Sequence, residues 1–161
     1  MAAVINVTDG SQAIIAIGNS SVTGSIGGAG ALEIPFVQDI TVNASTGVTR
    51  YKVLDSSSEK AFTTPSTNQI TLNCLVDEAT FFGNAGGTAN KVTNDGLFGV
   101  SNDKTLLYFE VSFNGNTGGT SKTISGQGYL SGLAPSVSMD QAVWITPVTI
   151  EVDGDLTAGT V

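Results

Sequence analysis

Few residues of this 161-residue chain could do chemistry, because it contains no histidine and one cysteine, Cys74. Composition therefore excludes mechanisms that need a Ser–His or Cys–His pair and metal sites that need histidine. Cys74 shares the apolar side of a predicted strand with Ile70 and Leu72, which favours a buried and unreactive thiol. Only a Ser–Lys pair or paired carboxylates would remain for catalysis. We expect a protein that is not an enzyme and uses no cofactor.

The tightest group of acidic residues is Glu151, Asp153 and Asp155. Carboxylates suit a hard cation, but the surrounding residues do not match an EF-hand loop, so we predict no metal site and interpret the group as a solvated hairpin end. Residues 118–123 (GGTSKT) resemble a phosphate-binding loop. Ser121 stands where that motif needs glycine, and we interpret the segment as a hairpin loop.

The chain is acidic, with 14 acids against six bases and a formal net charge of −8. Such a surface repels phosphate, which disfavours sequence-specific binding of nucleic acid and docking on an anionic membrane. No segment approaches the ~20 apolar residues that span a bilayer, and the N-terminus lacks the pattern of a signal peptide. We expect no membrane insertion and a protein made in the cytoplasm.

The bases are unevenly distributed, since residues 1–49 and 123–161 contain none. Arg50, Lys52 and Lys60 fall within eleven residues, and Tyr51 lies among them. One interpretation is a solvated strand or loop, as most charge clusters are. The other is an arm near residues 47–64 that docks on the acidic surface of a neighbouring subunit.

Alternation of apolar and polar residues predicts strands over most of the chain. The clearest is 106–113 (LLYFEVSF), and similar patterns occur at 36–42, 70–76 and 144–152. Residues 13–17 are apolar on both sides, which suits a central strand or a subunit contact. Asn114-Gly115 and Asp153-Gly154 are typical turn pairs after strands, and residues 18–30 read as a flexible Gly-rich loop.

One helix is predicted at residues 89–104, although Asp95-Gly96 weakens it, and Asp77 could instead cap a short turn that reaches Phe82. There is no internal repeat or domain boundary. The sequence therefore predicts a single domain, residues 1–161, of the mainly β class. We expect an antiparallel β-sandwich or barrel-like fold with one flanking α-helix.

The C-terminal third carries a recognisable order of residues. It contains 126–133 (GQGYLSGL), then 136–140 (SVSMD), then 143–154 (VWITPVTIEVDG). This Gly-flanked strand, Asp-led turn and Thr-rich strand that closes on Gly resemble the major tail tube proteins of tailed bacteriophages. Leu97-Phe98, leading into 106–113, is similar to that family too. The resemblance covers roughly residues 90–154, and the tube of a contractile injection system looks similar at this level.

The resemblance implies a structural virion protein of the phage tail. Six copies would form a ring, and stacked rings would form a hollow tube that passes DNA non-specifically during genome ejection, with an acidic bore that keeps DNA from sticking. Partners would be further copies of the chain and other tail proteins such as sheath, tail terminator, baseplate and tape measure protein. In that family an extended hairpin or loop contacts the next ring. Arg50, Tyr51, Lys52 and Lys60 are our candidates for that inter-subunit arm, chosen from the basic cluster.

A second interpretation is a binding module, such as a β-sandwich that decorates a virion or recognises a glycan. Such a module presents exposed aromatic residues around a pocket. The candidates for this role are Tyr51, Tyr129 and Trp144.

Overall fold

A computed structural model describes residues 8–54, 57–65, 67–84, 91–115 and 121–160. The elements, in chain order, are β1 (Thr8–Gly18), β2 (Leu32–Glu33), β3 (Val37–Asn43), β4 (Gly47–Lys52), β5 (Glu59–Thr64), β6 (Gln69–Leu75), α1 (Glu78–Phe82), α2 (Lys91–Asp103), β7 (Leu106–Gly115), β8 (Lys122–Leu133), β9 (Ser136–Ser138) and β10 (Gln141–Thr160).

Eight of these strands form one sheet in the order β2-β1-β7-β8-β10-β6-β3, with β9 paired to β10. Every pairing is antiparallel. The sheet curls into a half-barrel. The predicted mainly β, antiparallel, barrel-like fold is therefore confirmed, with one continuous curled sheet in place of two stacked sheets. β4 and β5 pair with each other in a separate two-stranded sheet.

The hydrophobic core lies on one face of the curled sheet. Leu107, Phe109 and Val111 of β7 are completely buried there, as their alternation predicts. Helix α2 adds Val92, Leu97 and Val100 to this cluster. The neighbouring strands add Ile15, Ile17, Ile70, Leu72, Cys74, Val148 and Ile150. Burial of this apolar surface holds the sheet in its curl.

The prediction of a single helix is wrong, because the described residues contain two. Asp77 caps α1, its carboxylate accepting a hydrogen bond from the Thr80 N–H at 3.1 Å, as the sequence suggested. Helix α2 is interrupted at Gly96, whose φ of 61° and ψ of −174° are not helical. Of the predicted segment 89–104, residues 89–90 lie outside the described residues.

Two predicted turns are wrong. Asn114-Gly115 continues β7, pairing with Asp9 and Thr8 of β1. Asp153-Gly154 does not end the last strand, because β10 resumes its pairing with β8 at Thr157. Gly154 absorbs the irregularity with a φ of 93°, a conformation that glycine adopts without strain.

The Gly-rich segment 18–30 leaves β1 and forms successive turns. Ser20 and Thr23 hydrogen bond to each other through their hydroxyl groups at 3.0 Å. Farther along, the Ile26 N–H donates to the Glu110 Oε2 of β7 at 2.9 Å. Part of the predicted loop is therefore attached to the main sheet.

Candidate assembly surfaces

The hairpin of β4 and β5, residues 47–64, is here called the basic hairpin. It connects the end of β3 to the start of β6 and pairs with no strand of the main sheet among the described residues. Its strands are exposed at all but their first and last residues, Gly47 and Thr64. An isolated two-stranded hairpin is marginally stable in water because it has no core to pack against. The exposed faces of the basic hairpin are therefore suited to packing against another protein chain.

The strand register divides the four predicted arm residues between the two faces of the basic hairpin. Tyr51 pairs directly with Lys60, and Phe62 lies one step along the same face, with the Tyr51 and Phe62 ring centroids 5.8 Å apart. Arg50 and Lys52 project to the opposite face. The hairpin therefore has an aromatic face with one base and a second face with two bases.

The main sheet has a polar face opposite the core, and its charged residues are all acids. Asp39 of β3 accepts two hydrogen bonds from the Asn73 amide, at 2.9 and 3.1 Å. Glu151 accepts one from the Gln69 Nε2 at 2.6 Å. Exposed Asp153 shares this face, and so does Glu110, which is 8% exposed.

Within the described main-sheet strands, no base has the parity of the polar face. The main-sheet strands contain a single Lys or Arg, Lys122 of β8. Its register partner is Phe113, which packs against the core cluster, so Lys122 has the parity of the core face. The accessible charges on the described polar face, those of Asp39, Glu151 and Asp153, are therefore of one sign, whereas Glu110 is covered by the Gly-rich segment.

The described part of the chain contains neither a cluster of metal ligands nor a reactive thiol. No three acidic, histidine or cysteine side chains there are arranged to hold a metal ion. The Cys74 Sγ lies 3.9 Å from the Thr146 carbonyl oxygen, and burial raises the pKa of its thiol to about 11. The thiol is therefore protonated and unreactive near neutral pH. Neither helix is long and apolar enough to cross a membrane within the described ranges.

The three aromatic candidates for a glycan pocket are not brought together. Tyr51 is on the basic hairpin, Tyr129 is on the polar face opposite Glu151, and Trp144 lies near the start of β10. Trp144 and Glu151 are seven positions apart on β10, which corresponds to ~23 Å of strand. Tyr129 and Trp144 therefore cannot line one sugar-sized pocket.

A second exposed surface, which the sequence did not suggest, lies where β6 ends and α1 begins. The exposed aromatic residues on the segments that meet here and on α2 are Phe36, Phe82, Phe98 and Trp144. Of these, Phe82 and Phe98 are in ring contact. We call this surface the aromatic end. Phe82 and Phe98 contact the buried Phe81, with ring centroids 4.9 and 6.1 Å from it. The adjacent pair Phe81-Phe82 was a usable signal, because a five-residue helix cannot bury two successive rings on one side.

Comparison with known proteins finds a likeness of fold only. No protein-family model matches this chain, and no curated protein sequence matches it. Among solved structures, a chain from the cryo-EM structure of the anti-feeding prophage cap, its tube-terminating cap, superposes with a TM-score of 0.61. The superposition covers 100% of this chain and 96% of that chain, at 14% sequence identity.

The fold is shared over the whole length. At this identity nothing more than the fold is carried by the comparison.

Proposed function

We propose that this chain is a structural tail protein of a phage or a related contractile injection particle. In the specific form of the proposal, six copies form a ring and rings stack into the tube through which DNA passes. The observation that carries it is the full-length likeness of fold to a tube-terminating cap at a TM-score of 0.61. The proposal assigns the chain no catalytic role.

Ring formation is supported by the edges of the curled sheet. β3 pairs with β6 alone, and β2 has only two residues paired to β1, so each end of the described sheet leaves backbone groups without a strand neighbour. Exposed edges invite pairing with another chain. Two different edges on one subunit favour a head-to-tail contact, which forms a ring where its rotation closes.

The polar face supports a role as the wall of a DNA channel. Asp39, Glu151 and Asp153 would present one sign of charge to a polyanion. Repulsion of this kind extends over ~8 Å at physiological salt, the Debye length. DNA would therefore pass without being held, and the outer surface of the ring would remain for sheath, baseplate and other tail proteins. In this proposal the protein is located in the particle, after assembly in the host cytoplasm.

A tube-terminating cap is a second candidate, favoured by the function named for the structural neighbour. The two candidates differ in the number of neighbouring rings that one ring can bind. A tube subunit must offer complementary surfaces above and below its ring, whereas a cap stops growth after one layer. Purified protein that forms long tubes favours the subunit, and protein that forms single rings favours the cap.

The test is assembly of the purified chain, followed by sedimentation velocity and negative-stain microscopy. We expect rings or tubes in the wild type. The triple variant Arg50→Glu, Lys52→Glu, Lys60→Glu should lose stacked species, because all three bases are exposed on the basic hairpin. Its free energy of unfolding should stay within about 0.5 kcal/mol of the wild-type value, as is usual for substitutions at surface positions.

The chain offers a matched control for this variant. Reversing the other three bases, Lys91, Lys104 and Lys122, lowers the formal net charge equally, from −8 to −14. We expect this control to keep more stacking than the hairpin variant. A wild-type chain that stays monomeric at high concentration would refute the proposed function. Equal loss of stacking in both triple variants would instead assign the effect to net charge and remove the hairpin from the proposal.

A further inference from the structure

A cleft on the polar face, beside the Gly-rich segment, has the size of a small-molecule site. Its volume is about 470 Å³, within the ~300–1,000 Å³ that such sites occupy. The Gly-rich segment forms its near side, β7 and β8 form its floor, and β10 forms its far side. Four segments that are separate in the sequence therefore converge on one concave surface.

The floor of the cleft is a row of side chains set by strand register. Tyr108 of β7 lies opposite Gln127 of β8, and Gln127 lies opposite Asp153 of β10. Directly opposed residues of antiparallel strands project to the same face, with ~4.5–5.5 Å between their Cβ atoms. An aromatic ring, an amide and a carboxylate therefore stand side by side across three strands.

The near side of the cleft is a turn that packs against Tyr108. Gly18 of β1 is the register partner of Tyr108, and a Cβ atom on Gly24 would lie 2.9 Å from the Tyr108 Cδ1. Glycine at this position lets the turn approach the ring closely. The Gly24 N–H donates to the Ser20 carbonyl oxygen at 2.8 Å, and the Ser20 and Thr23 hydroxyl groups are 3.0 Å apart. This side of the cleft is therefore formed in advance of any ligand.

The far side of the cleft is shaped by the irregularity in β10. Asp153 is paired with β8, but pairing resumes only at Thr157. Residues 154–156 therefore form a bulge, and bulges redirect side chains and are frequent next to functional sites. Asp153 and Asp155 are both exposed, and both line the cleft together with Thr157.

The chemistry of the lining restricts the ligand. The described residues around the cleft include no base, so nothing there would neutralise a phosphate or a carboxylate. They include no Ala, Val, Leu or Ile side chain, which disfavours an apolar ligand. Nor do the two carboxylates join a third acidic, histidine or cysteine ligand in the part of the chain that the structure describes, which disfavours a metal ion. The lining instead offers hydroxyl groups, the amides of Asn19 and Gln127, two carboxylates and the Tyr108 ring.

An uncharged saccharide matches these groups. Its hydroxyl groups donate to carboxylates and exchange hydrogen bonds with amides and serine hydroxyl groups. Its C–H groups can pack against an aromatic ring. We propose that the cleft binds an uncharged saccharide, with Asp153 and Asp155 accepting hydrogen bonds from its hydroxyl groups and Tyr108 packing against its ring.

This inference goes beyond the proposed function and does not depend on it. The cleft is lined by residues of a single subunit, so binding requires neither a ring nor a tube. The site also differs from the glycan pocket expected from the sequence, because Tyr51, Tyr129 and Trp144 do not line it. The chain would carry a recognition site in addition to its structural role.

The test is saturation-transfer difference NMR on the full chain. This method reads the resonances of the ligand, so free subunits, rings and tubes can all be measured. The probes are methyl glucoside, methyl galactoside, methyl mannoside and N-acetylglucosamine, with spermidine as a cationic comparison. We expect saturation transfer to the C–H protons of at least one saccharide, with a Kd in the millimolar range.

Three variants locate the binding. Asp153→Ala and Asp155→Ala should each weaken it by about tenfold, as the loss of a hydrogen bond to a charged group does. Asp140→Ala removes the same charge from an exposed position in the turn between β9 and β10, outside the cleft, and should leave binding unchanged. All three aspartates are exposed, so unchanged thermal unfolding verifies that the variants fold.

The outcomes separate this inference from the proposed function. Saturation transfer to none of the four saccharides would overturn it, and so would transfer to spermidine alone, which would assign the cleft to an organic cation. Equal weakening in Asp140→Ala and Asp153→Ala would also overturn it, because net charge would then explain the effect. None of these results would alter the assembly of rings or tubes, by which the proposed function is tested.

Discussion

The substitution Gly96→Ala tests the packing that holds the aromatic end in place. Gly96 interrupts α2 with a φ of 61° and a ψ of −174°, a region that is essentially restricted to glycine. A Cβ atom at this position would approach the Phe81 carbonyl oxygen at 2.6 Å and would lie even nearer to the Gly83 nitrogen. The kink is therefore the point at which the backbones of α1 and α2 touch.

Two costs combine in this variant. The backbone conformation contributes ~1–3 kcal/mol for a residue with a side chain. Forcing the two helices apart contributes a further ~1–3 kcal/mol, as overpacking a core does. We therefore expect a loss of about 4 kcal/mol in the free energy of unfolding, which lowers the Tm by about 12 °C in a domain of this size.

Gly27→Ala is the matched control. Gly27 also has a positive φ, 74°, but a Cβ atom there would meet nothing within 4 Å. Its cost is the left-handed conformation alone, ~1–2 kcal/mol, or a Tm lower by about 5 °C. Both variants are melted by circular dichroism at one protein concentration, because self-association would shift the Tm. If Gly96→Ala melts with Gly27→Ala, the backbones of α1 and α2 do not touch at this kink.

Two further predictions concern buried groups of the main sheet. Burial raises the pKa of the Cys74 thiol from its ordinary value of 9.0 to about 11, so the stability that the neutral thiol contributes is complete below about pH 9 and is lost as the pH rises towards 11. We expect slow iodoacetamide labelling at pH 8 and an alkaline fall in Tm that is smaller in Cys74→Ala. Rapid labelling of the folded protein would contradict the burial. Glu110→Ala removes the acceptor of the Ile26 N–H and should speed amide hydrogen exchange across residues 19–28, with a stability loss of ~1–3 kcal/mol. Glu110→Gln keeps a carbonyl acceptor, so its amides should exchange more slowly than those of Glu110→Ala. Equal exchange in both variants would count against attachment of the Gly-rich segment to β7 through Glu110.

The strands of the core were predictable because each carries its own pattern. β6 alternates fully, with Ile70, Leu72 and Cys74 buried and the residues between them only partly so. β7 behaves in the same way on its apolar side. The buried and exposed faces of a half-buried strand can be assigned from its own alternation, without information from distant residues.

The errors occurred where a distant contact decides the local structure. Gly96 breaks α2 because Gly83 and Phe81 occupy the space beside it, and neither is its neighbour in sequence. Asp153-Gly154 is a good turn pair, yet β10 continues because Ser125 and the residues before it in β8 are available to pair with Thr157 and beyond.

The candidate surfaces, too, were predictable only where their residues are close in sequence. Arg50, Lys52 and Lys60 are close in sequence, so their charge pointed to the hairpin, but the division between its faces depends on register. The aromatic end draws Phe36, Phe82, Phe98 and Trp144 from four separate segments. No pattern in a single sequence brings such residues together; only the topology does.

The independence of the β4–β5 pair has an architectural consequence. Because β3 and β6 are already joined by their own ladder, from Val37–Cys74 to Asn43–Gln69, the sheet does not require the segment between them. A hairpin of different length or sequence at this position is therefore expected to leave β3 and β6 paired as they are.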